Sequence, residues 1–264
     1  MSRVAIVTGG ARGIGAATVA ALAGEGWRVV AVDRDGDDPR LPYALGSAAD
    51  LEATVAAANE AAGEERARGE VADATDADAM AALVARAEEW GGVEAIVANA
   101  GVIAGGVPAW ELSPEREDAV VEVCLRGVMV AARVGIPALL RRPEPRGGRF
   151  VATASTASFR GLPGLAAYCA AKAGVVGFVR ALGTELRGTG VTANAVAPGS
   201  TDTEILAESA RLYDLESAAV FSHQQPIERL IEPDEVAAMI AWLVGPRSAA
   251  VTGATLAVDG GLSL

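Results

Sequence analysis

The sequence predicts an α/β protein whose central sheet is mostly parallel and is covered by helices on both faces. Apolar runs of strand length alternate along the chain with longer, alanine-rich stretches of helical period. The runs are apolar throughout instead of alternating with polar residues, which is typical of strands buried on both faces. Since no linker, repeat or low-complexity segment divides the 264 residues, we expect one domain over 1–264.

The predicted elements follow one another in regular order. The strands are Val4–Thr8, Arg28–Asp33, Arg68–Ala72, Val93–Ala98, Arg149–Ala154, Val191–Val196 and Thr255–Val258. The helices are Ile14–Glu25, Ala49–Ala62, Asp76–Trp90, Pro114–Leu140, Leu165–Arg187 and Pro233–Val244. Ser47 and Asp50 suit a capping box, while Pro114 and Pro233 suit a first helical turn.

Composition narrows the class of protein. Hydrophobic residues make up 51% of the chain, which excludes a disordered protein, and the net charge of −12 disfavours nucleic acid and anionic membranes as partners. The two cysteines, Cys124 and Cys169, provide no disulfide framework, as is usual in a reducing cytosol. We find no apolar run approaching the roughly 20 residues of a membrane span and no charged-then-apolar leader. We therefore expect a cytoplasmic protein.

The chain has a single lysine, Lys172, four residues after Tyr168, and all its other basic residues are arginine. Positions i and i+4 share a face of a helix, so a phenol and an ammonium can lie side by side there. A nearby positive charge favours phenolate and lowers the pKa of a tyrosine, which is one way to make a general acid/base. Arginine carries the same charge on a planar fork and would not replace the compact ammonium.

A glycine-rich turn follows the first predicted strand. Glycines occur at 9, 13 and 15, and such residues let the backbone approach a pyrophosphate at a helix N-terminus. The second strand ends at Asp33, whose carboxylate can accept both ribose hydroxyls of an adenosine and would repel a 2′-phosphate. Arg12 and Arg34 are the opposing signal, because arginines pair with phosphate. We give Asp33 more weight and predict NAD.

At this point the chain resembles the short-chain dehydrogenase/reductase family along nearly its whole length. Further matches occur in the family order: Asp73, Asn99-Ala100-Gly101, Ser155 placed 13 residues before Tyr168, Tyr168-x-x-x-Lys172, Pro198-Gly199 with Thr203, Val251-Thr252-Gly253 and Asp259-Gly260-Gly261. The resemblance implies a Rossmann-type doubly wound domain with a seven-stranded parallel sheet in the order 3-2-1-4-5-6-7. It also implies a homotetramer.

The resemblance implies a mechanism and a set of site residues. Ser155 would bind the substrate oxygen, Tyr168 would exchange a proton with it, and Lys172 would lower the pKa of Tyr168 and hold the nicotinamide ribose. No metal is expected. The implied cofactor-binding residues are Gly9, Arg12, Gly13, Ile14, Gly15, Asp33, Arg34, Asp73, Ala74, Asn99, Ala100, Gly101, Tyr168, Lys172, Pro198, Gly199, Thr201 and Thr203.

The chain departs from the family pattern at one position. Cys124, in Cys124-Leu125-Arg126-Gly127, stands where many members have an asparagine that holds a water linking the lysine to solvent. A thiol is a weak donor and a weak acceptor, which puts this relay in doubt. We expect Cys124 to be a small packed residue and not a nucleophile.

Two segments fit neither strand nor helix. The polar loop Arg34–Gly46 is longer than usual and, with Leu212–Leu215 and His223-Gln224, resembles the subgroup that works with the peptide-derived redox carrier mycofactocin. The segment Ser200–Ile231 is expected to form a lid over the substrate. The lid carries Ile205, Leu206, Leu212, Tyr213, Phe221 and His223, and Ile103, Trp110, Phe159 and Leu162 are expected to add an apolar wall, which suits a hydrophobic or alicyclic alcohol. We expect His223 to be a surface or lid-packing residue and not catalytic.

Three functions are open at this stage. The first is an NAD-dependent dehydrogenase that transfers hydride between a secondary alcohol or ketone and nicotinamide. The second is an NADPH-dependent 3-oxoacyl carrier-protein reductase, which Asp33 disfavours. The third, motivated by Cys124, is a nucleotide-binding regulatory protein with little turnover. The intact trio Ser155, Tyr168 and Lys172 disfavours the third function, since a binding protein does not need it.

Overall fold

The structure is a computed structural model that describes residues 3–264. Its centre is a seven-stranded sheet in the order β3-β2-β1-β4-β5-β6-β7, and every neighbouring pair is parallel. The strands are β1 Arg3–Thr8, β2 Arg28–Asp33, β3 Ala67–Val71, β4 Gly92–Ala98, β5 Arg149–Thr153, β6 Thr192–Pro198 and β7 Thr255–Val258. The predicted fold class and strand order are confirmed.

The helices cover both faces of the sheet. They are α1 Gly13–Gly24, α2 Ala48–Ala62, α3 Ala77–Trp90, α4 Pro114–Val121, α5 Gly127–Arg141, α6 Ala166–Glu185, α7 Glu204–Leu212 and α8 Pro233–Val244. The capping box of Ser47 and Asp50 is formed, and Pro114 and Pro233 each begin a helix, as predicted. Short 3₁₀ turns, which no sequence pattern marked, occupy Ala109–Glu111, Thr156–Ser158, Ala218–Gln224 and Pro246–Ser248.

The side chains of each central strand alternate between two apolar layers. Along β1, Val4 and Ile6 face the layer formed with α3, α5 and α6, whereas Ala5 and Val7 face the layer formed with α1, α2 and α8. Both sets are almost fully buried. This double burial is the physical reason why the central strands are apolar at nearly every position between their ends.

The predicted helix Pro114–Leu140 is interrupted. Residues Glu122–Arg126 form one π-helical turn between α4 and α5, and Cys124 lies in it. A π turn inserts one residue into a helix and is often found at functional sites. The hydrophobic period alone does not reveal it, because the residues on either side remain helical.

Two helical segments have the length and composition of a membrane span, contrary to the expectation that no apolar run approaches one. They are Pro114–Arg141 and Ala166–Glu185. The first is 50% buried and the second 39% buried over its most apolar window, and both pack against the sheet. Alanine, valine and leucine raise their hydropathy, because these helices lie against the core.

We predict opposite stability changes for two glycine-to-alanine substitutions. A Cβ on Gly135 of α5 would lie 2.7 Å from Ile96 of β4, so Gly135→Ala should destabilise the fold by about 1–3 kcal/mol through overpacking. Gly24, at the exposed end of α1, has no atom within 4 Å of such a Cβ, so Gly24→Ala should stabilise by up to about 1 kcal/mol. Urea unfolding at one protein concentration measures both changes. Equal effects of the two substitutions would contradict the close helix–sheet contact at Gly135.

Candidate active site

A cleft of about 700 Å³ runs along the carboxyl ends of the strands, where the strand order reverses between β1 and β4. Ligands of open α/β sheets bind at such a reversal. The predicted site residues that line the cleft are Gly9, Arg12, Gly13, Ile14, Asp33, Arg34, Asp73, Ala74, Asn99, Ala100, Gly101, Ser155, Tyr168, Lys172, Pro198, Gly199, Thr201 and Thr203. Gly15 is the one predicted residue outside this lining.

The turn between β1 and α1 requires glycine for two different reasons. Gly9 and Gly13 have φ angles of 68° and 53°, in the left-handed region that glycine enters at little cost. A Cβ on Gly15 would lie 1.8 Å from the carbonyl oxygen of Gly9. Gly15 therefore allows the start of α1 to pack on the turn, while Gly9 and Gly13 face the cleft. The resulting surface is open backbone at a helix N-terminus, which suits a pyrophosphate.

Asn99 joins the ends of three strands beneath this turn. Its backbone N–H donates to Thr8 Oγ1 at 3.0 Å, and its side-chain Nδ2 donates to the Gly9 carbonyl oxygen at 3.3 Å. Its Oδ1 accepts a hydrogen bond from Thr153 Oγ1 at 3.0 Å. Asn99 thereby connects β1, β4 and β5 and holds the glycine turn over the sheet.

Asp33 is oriented by backbone N–H groups. Ala11 N donates to Oδ2 and Arg34 N donates to Oδ1, each at 2.9 Å. Burial raises the pKa of this carboxyl, and the two backbone hydrogen bonds oppose that rise. Each carboxylate oxygen keeps a second lone pair, so Asp33 is able to accept two ribose hydroxyls at the cleft surface.

The two arginines beside Asp33 already have protein partners. Arg12 Nη2 donates to the carbonyl oxygen of Ala44 at 3.1 Å. Arg34 donates from Nη1 to Asp38 and from Nη2 to the carbonyl oxygen of Asp37, both at 3.3 Å. These contacts hold the guanidinium groups against the loop Arg34–Gly46, which reduces the donors that they can offer to a phosphate.

An ion cluster fixes that loop to the opposite wall of the cleft. Asp38, only 3% exposed, accepts hydrogen bonds from Arg40, whose Nη1 reaches Glu122 of the π turn at 2.7 Å. Arg40 lowers the pKa of Asp38 below its usual range, so the carboxylate is charged at neutral pH. The loop therefore bridges from the end of β2 to the helix that follows β4.

Tyr43 is a cleft residue that the sequence motifs did not identify. Its Oη accepts a hydrogen bond from the backbone N–H of Ile103 at 2.9 Å, and its ring packs in a cluster with Leu41, Val102 and Cys124. Burial raises the pKa of Tyr43, which keeps the phenol neutral. Its partner is 60 residues away, so neither spacing nor period could have indicated the contact.

Ser155, Tyr168 and Lys172 line the same cleft. Ser155 lies two residues after the end of β5 and caps a 3₁₀ turn, with its Oγ accepting a hydrogen bond from Ala157 N at 3.2 Å. Tyr168 and Lys172 lie one turn apart on α6, with Nζ of the lysine 5.8 Å from the centroid of the phenol ring. Lys172 is 3% exposed and donates to the carbonyl oxygen of Thr153 at 2.8 Å.

Burial dominates the electrostatics of this pair. It raises the pKa of Tyr168, and Cys124 and Tyr43 add to the rise, while the Ser155 hydroxyl opposes it. It also lowers the pKa of Lys172. The direction for Tyr168 is opposite to the one expected from a neighbouring ammonium. The reason is that low dielectric disfavours the charged forms of both groups and that Lys172 is directed at a backbone carbonyl.

Cys124 takes part in a local backbone contact. The residue is fully buried, and its Sγ accepts from Val102 N at 3.4 Å and donates to Val102 O at 3.1 Å. The thiol thus satisfies the N–H and the carbonyl oxygen of Val102, next to Gly101. Its buried position agrees with the expectation that Cys124 is a small packed residue. A thiol enclosed in this way has little access to a substrate.

The far end of the cleft is apolar, and much of it comes from the segment Ser200–Ile231. Of the predicted wall, Ile103, Leu162, Ile205, Leu206, Tyr213 and Phe221 line the cleft. The prediction is wrong for Trp110 and Phe159, which are not part of the lining. Leu212 and His223 of the segment also lie outside the lining, and the exposed position of His223 agrees with the expected surface residue. Trp110 is 85% exposed and Phe159 48% exposed, because both lie in turns on the outer surface.

Two contacts hold this segment in place that the sequence did not reveal. The buried Gln225 accepts a hydrogen bond from Ser200 N at 2.9 Å and donates to Arg229 O at 2.6 Å. Tyr213 Oη donates to the carbonyl oxygen of Pro163 at 2.7 Å. Gln225 therefore holds the beginning of the segment against its end, and Tyr213 ties the segment to the loop between Ser155 and Tyr168.

Comparison with known proteins agrees with this geometry. A family model described as Enoyl-(Acyl carrier protein) reductase matches residues 9–263. The cis-4-hydroxycyclohexanecarboxylate dehydrogenase of Sinomonas cyclohexanicum is 38% identical over 260 residues, covering 98% of this chain and 96% of that protein. The chain belongs to the short-chain dehydrogenase/reductase family. It is accordingly an oxidoreductase of this family with a nicotinamide nucleotide site.

Solved structures of the family share the fold. Carveol dehydrogenase from Mycobacterium avium, in complex with NAD, has a TM-score of 0.91 at 28% identity, covering 98% of this chain and 97% of that one. A variant of actinorhodin polyketide ketoreductase with NADPH has a TM-score of 0.87 at 37% identity, covering 99% and 97%. Family members with this architecture thus bind either nucleotide.

We predict that alcohol oxidation depends on ionised Tyr168. Because the pKa of Tyr168 is raised, the phenol is neutral at pH 7, and kcat/KM for oxidation should rise about tenfold per pH unit until the phenolate dominates. Tyr168→Phe should lose about 10²–10⁴-fold in turnover. Lys172→Arg should also lose most turnover and weaken nucleotide binding, since the fork does not fit the space of the ammonium.

Steady-state kinetics from pH 6 to 10 and nucleotide titration test this prediction. Tyr213→Phe is the matched comparison, because it keeps its ring in the same cleft and loses only the contact to Pro163. It should retain at least about a tenth of the turnover, because the loss of one neutral hydrogen bond costs about 1 kcal/mol. A fully active Tyr168→Phe enzyme would rule out the assigned role.

Proposed function

We propose that this protein is an NAD-dependent dehydrogenase that oxidises a hydrophobic or alicyclic secondary alcohol, or reduces the matching ketone. The observation that carries the proposal is that Ser155, Tyr168 and Lys172 line one cleft together with the glycine turn and an apolar end. Nucleotide-binding backbone and proton-transfer groups are thereby joined to a pocket for an uncharged carbon skeleton. The nicotinamide, when bound, supplies the hydride chemistry.

The proposed roles of the trio follow from their surroundings. Ser155 orients the substrate oxygen by a hydrogen bond. Tyr168 gives its proton to the oxygen of a ketone, or as phenolate takes the proton from an alcohol, and its raised pKa favours the first direction at neutral pH. Lys172 is buried and has two N–H donors left after its bond to Thr153, which suits the ribose hydroxyls of the nicotinamide nucleotide.

The apolar far end of the cleft supports the substrate class. Ile205, Leu206 and Phe221 offer aliphatic and aromatic surface, and we infer that the segment Ser200–Ile231 acts as a lid whose closure excludes water. Relatives that act on ring alcohols by name, the cis-4-hydroxycyclohexanecarboxylate and carveol dehydrogenases, support the same class. Phosphorylated sugars fit poorly, since this wall has few polar groups.

NAD is the proposed cofactor because of Asp33 and its neighbours. The carboxylate is oriented by two N–H groups, while Arg12 and Arg34 are engaged by the loop. The competing proposal is an NADPH-dependent ketoacyl reductase, which is supported by the similarity to the polyketide ketoreductase with NADPH. The nucleotide preference separates the two proposals.

We predict at least about a 100-fold preference of kcat/KM for NADH over NADPH. Asp33→Ala should raise the KM for NADH by about 10- to 100-fold, because two hydrogen bonds to a charged acceptor are lost. Asp78→Ala, on the exposed surface of α3, is the control and should change neither value. The Tm of each variant shows the cause of a raised KM. A lowered Tm indicates that the turn held by Asp33 is damaged, whereas an unchanged Tm indicates that only the ribose contacts are lost. A wild-type preference for NADPH would favour the ketoacyl reductase.

We further propose a cytoplasmic homotetramer that works with a redox carrier such as mycofactocin. The loop Arg34–Gly46 supports the last point. Its ion cluster and Tyr43 bridge both walls of the cleft, so a nucleotide beneath it would leave only after the bridge opens. A nucleotide that exchanges slowly needs a second molecule to carry electrons away.

We predict that the protein retains NAD through purification. Native mass spectrometry should find one NAD per subunit and four subunits. Asp38→Asn weakens the cluster with Arg34 and Arg40 and should accelerate NAD release by about tenfold or more, from the loss of charge-assisted hydrogen bonds. Glu70→Gln, which breaks the exposed pair with Arg86, is the matched control and should leave release unchanged. Free exchange of NAD in the wild type would contradict the proposed retention.

A further inference from the structure

The substrate end of the cleft contains one cation that the proposed mechanism does not use. Arg160 lies between Ser155 and Tyr168 in the chain, after the 3₁₀ turn Thr156–Ser158, and it lines the cleft beside Leu162 and Leu262. Its Nη1 donates to the carbonyl oxygen of Leu262. Arg160 is exposed to solvent, and the lining residues that follow it in the chain, Leu162, Pro163 and Leu165, are aliphatic.

The other cations of the cleft lie at the part proposed for the nucleotide or beside Tyr168. Arg12 donates to Ala44, Arg34 to Asp38, and Lys172 to Thr153. Arg160 takes part in none of the ion pairs found among residues 3–264. A guanidinium has five N–H donors, and its contact with Leu262 leaves most of them free.

The acidic groups of the cleft belong to its other parts. Asp33 and Asp73 follow β2 and β3, at the end proposed for adenosine, and Glu204 begins α7 beside Gly13. None of them neutralises Arg160. A guanidinium without a carboxylate partner at the substrate end is suited to an external anion.

We propose that Arg160 binds a carboxylate of the substrate, and that the substrate is a ring hydroxy acid or the corresponding keto acid. This inference rests on the proposed dehydrogenase function and adds a specificity-determining residue to it. The hydroxyl would meet Ser155 and Tyr168, the ring would lie on the apolar wall, and the acid group would reach the mouth of the cleft. A guanidinium matches a carboxylate with two parallel hydrogen bonds, which also fixes which ring carbon faces the reacting groups.

Paired substrates test the proposal. The probes are the 3- and 4-hydroxycyclohexanecarboxylates and their carboxamides, which have the same shape without the charge. Of the two hydroxy acids, the one that the wild type oxidises with the higher kcat/KM should also be oxidised with a higher kcat/KM than its own carboxamide. Arg160→Met should reduce kcat/KM for the acid by about 10- to 100-fold, mainly through KM, and should change the amide by less than about threefold. Arg160→Lys should recover part of the loss. Arg247→Met, on an exposed turn far along the chain, is the control.

Each alternative outcome has a defined meaning. If the acid and the amide lose equally in Arg160→Met, the arginine serves only to hold Leu262 and the proposal is wrong. If the wild type oxidises the amide as well as the acid, the proposal is wrong but the dehydrogenase function stands. If no ring alcohol is oxidised, the proposed function fails, and calorimetry with cyclohexanecarboxylate decides separately. Equal binding of that anion by wild type and Arg160→Met would then overturn the role of Arg160.

Discussion

The side chain of Asn99 is the contact on which the geometry of the cleft depends. It ties the turn at Gly9 to β4 and accepts from Thr153 of β5, whose carbonyl oxygen in turn accepts from Lys172. A continuous series of hydrogen bonds therefore connects the backbone that would hold a pyrophosphate with the ammonium beside Tyr168. The backbone ladders that join β1, β4 and β5 end just before these residues. Beyond the strand ends, side chains must therefore supply the connection between the strands.

Low dielectric is the second constraint. Burial raises the pKa values of Tyr168 and Tyr43 and lowers that of Lys172, which in each case favours the neutral form of the side chain. The charged loop residues Asp38 and Arg40 compensate each other at the border of this region. The buried groups around Tyr168 are thus separate from the charged loop residues at the border of the cleft. A dipole or charge that a ligand brings near the phenol acts strongly on it, because the local dielectric is low.

The sequence was sufficient for those features that local residues determine. Segments of strand length predicted all seven strands, although β3 is largely polar. All the predicted catalytic and nucleotide-binding residues except Gly15 line the cleft, since the motifs that carry most of them lie near the ends of parallel strands, which meet at one edge. It failed where the partner is distant. Arg40 meets Glu122 across 82 residues, and Tyr43 meets Ile103 across 60, and neither contact leaves a periodic signal. It also failed at Trp110, where an apolar residue was assumed to face inward although its turn lies on the surface.

The π turn at Glu122–Arg126 divides a helical segment of 28 residues into two mechanical units. One inserted residue rotates everything after it by on the order of 100° relative to an uninterrupted α-helix with 3.6 residues per turn. The helical phase of the exposed positions in α5 is therefore offset from that in α4. A stripe of exposed residues that begins on α4 is not continued at the same spacing on α5.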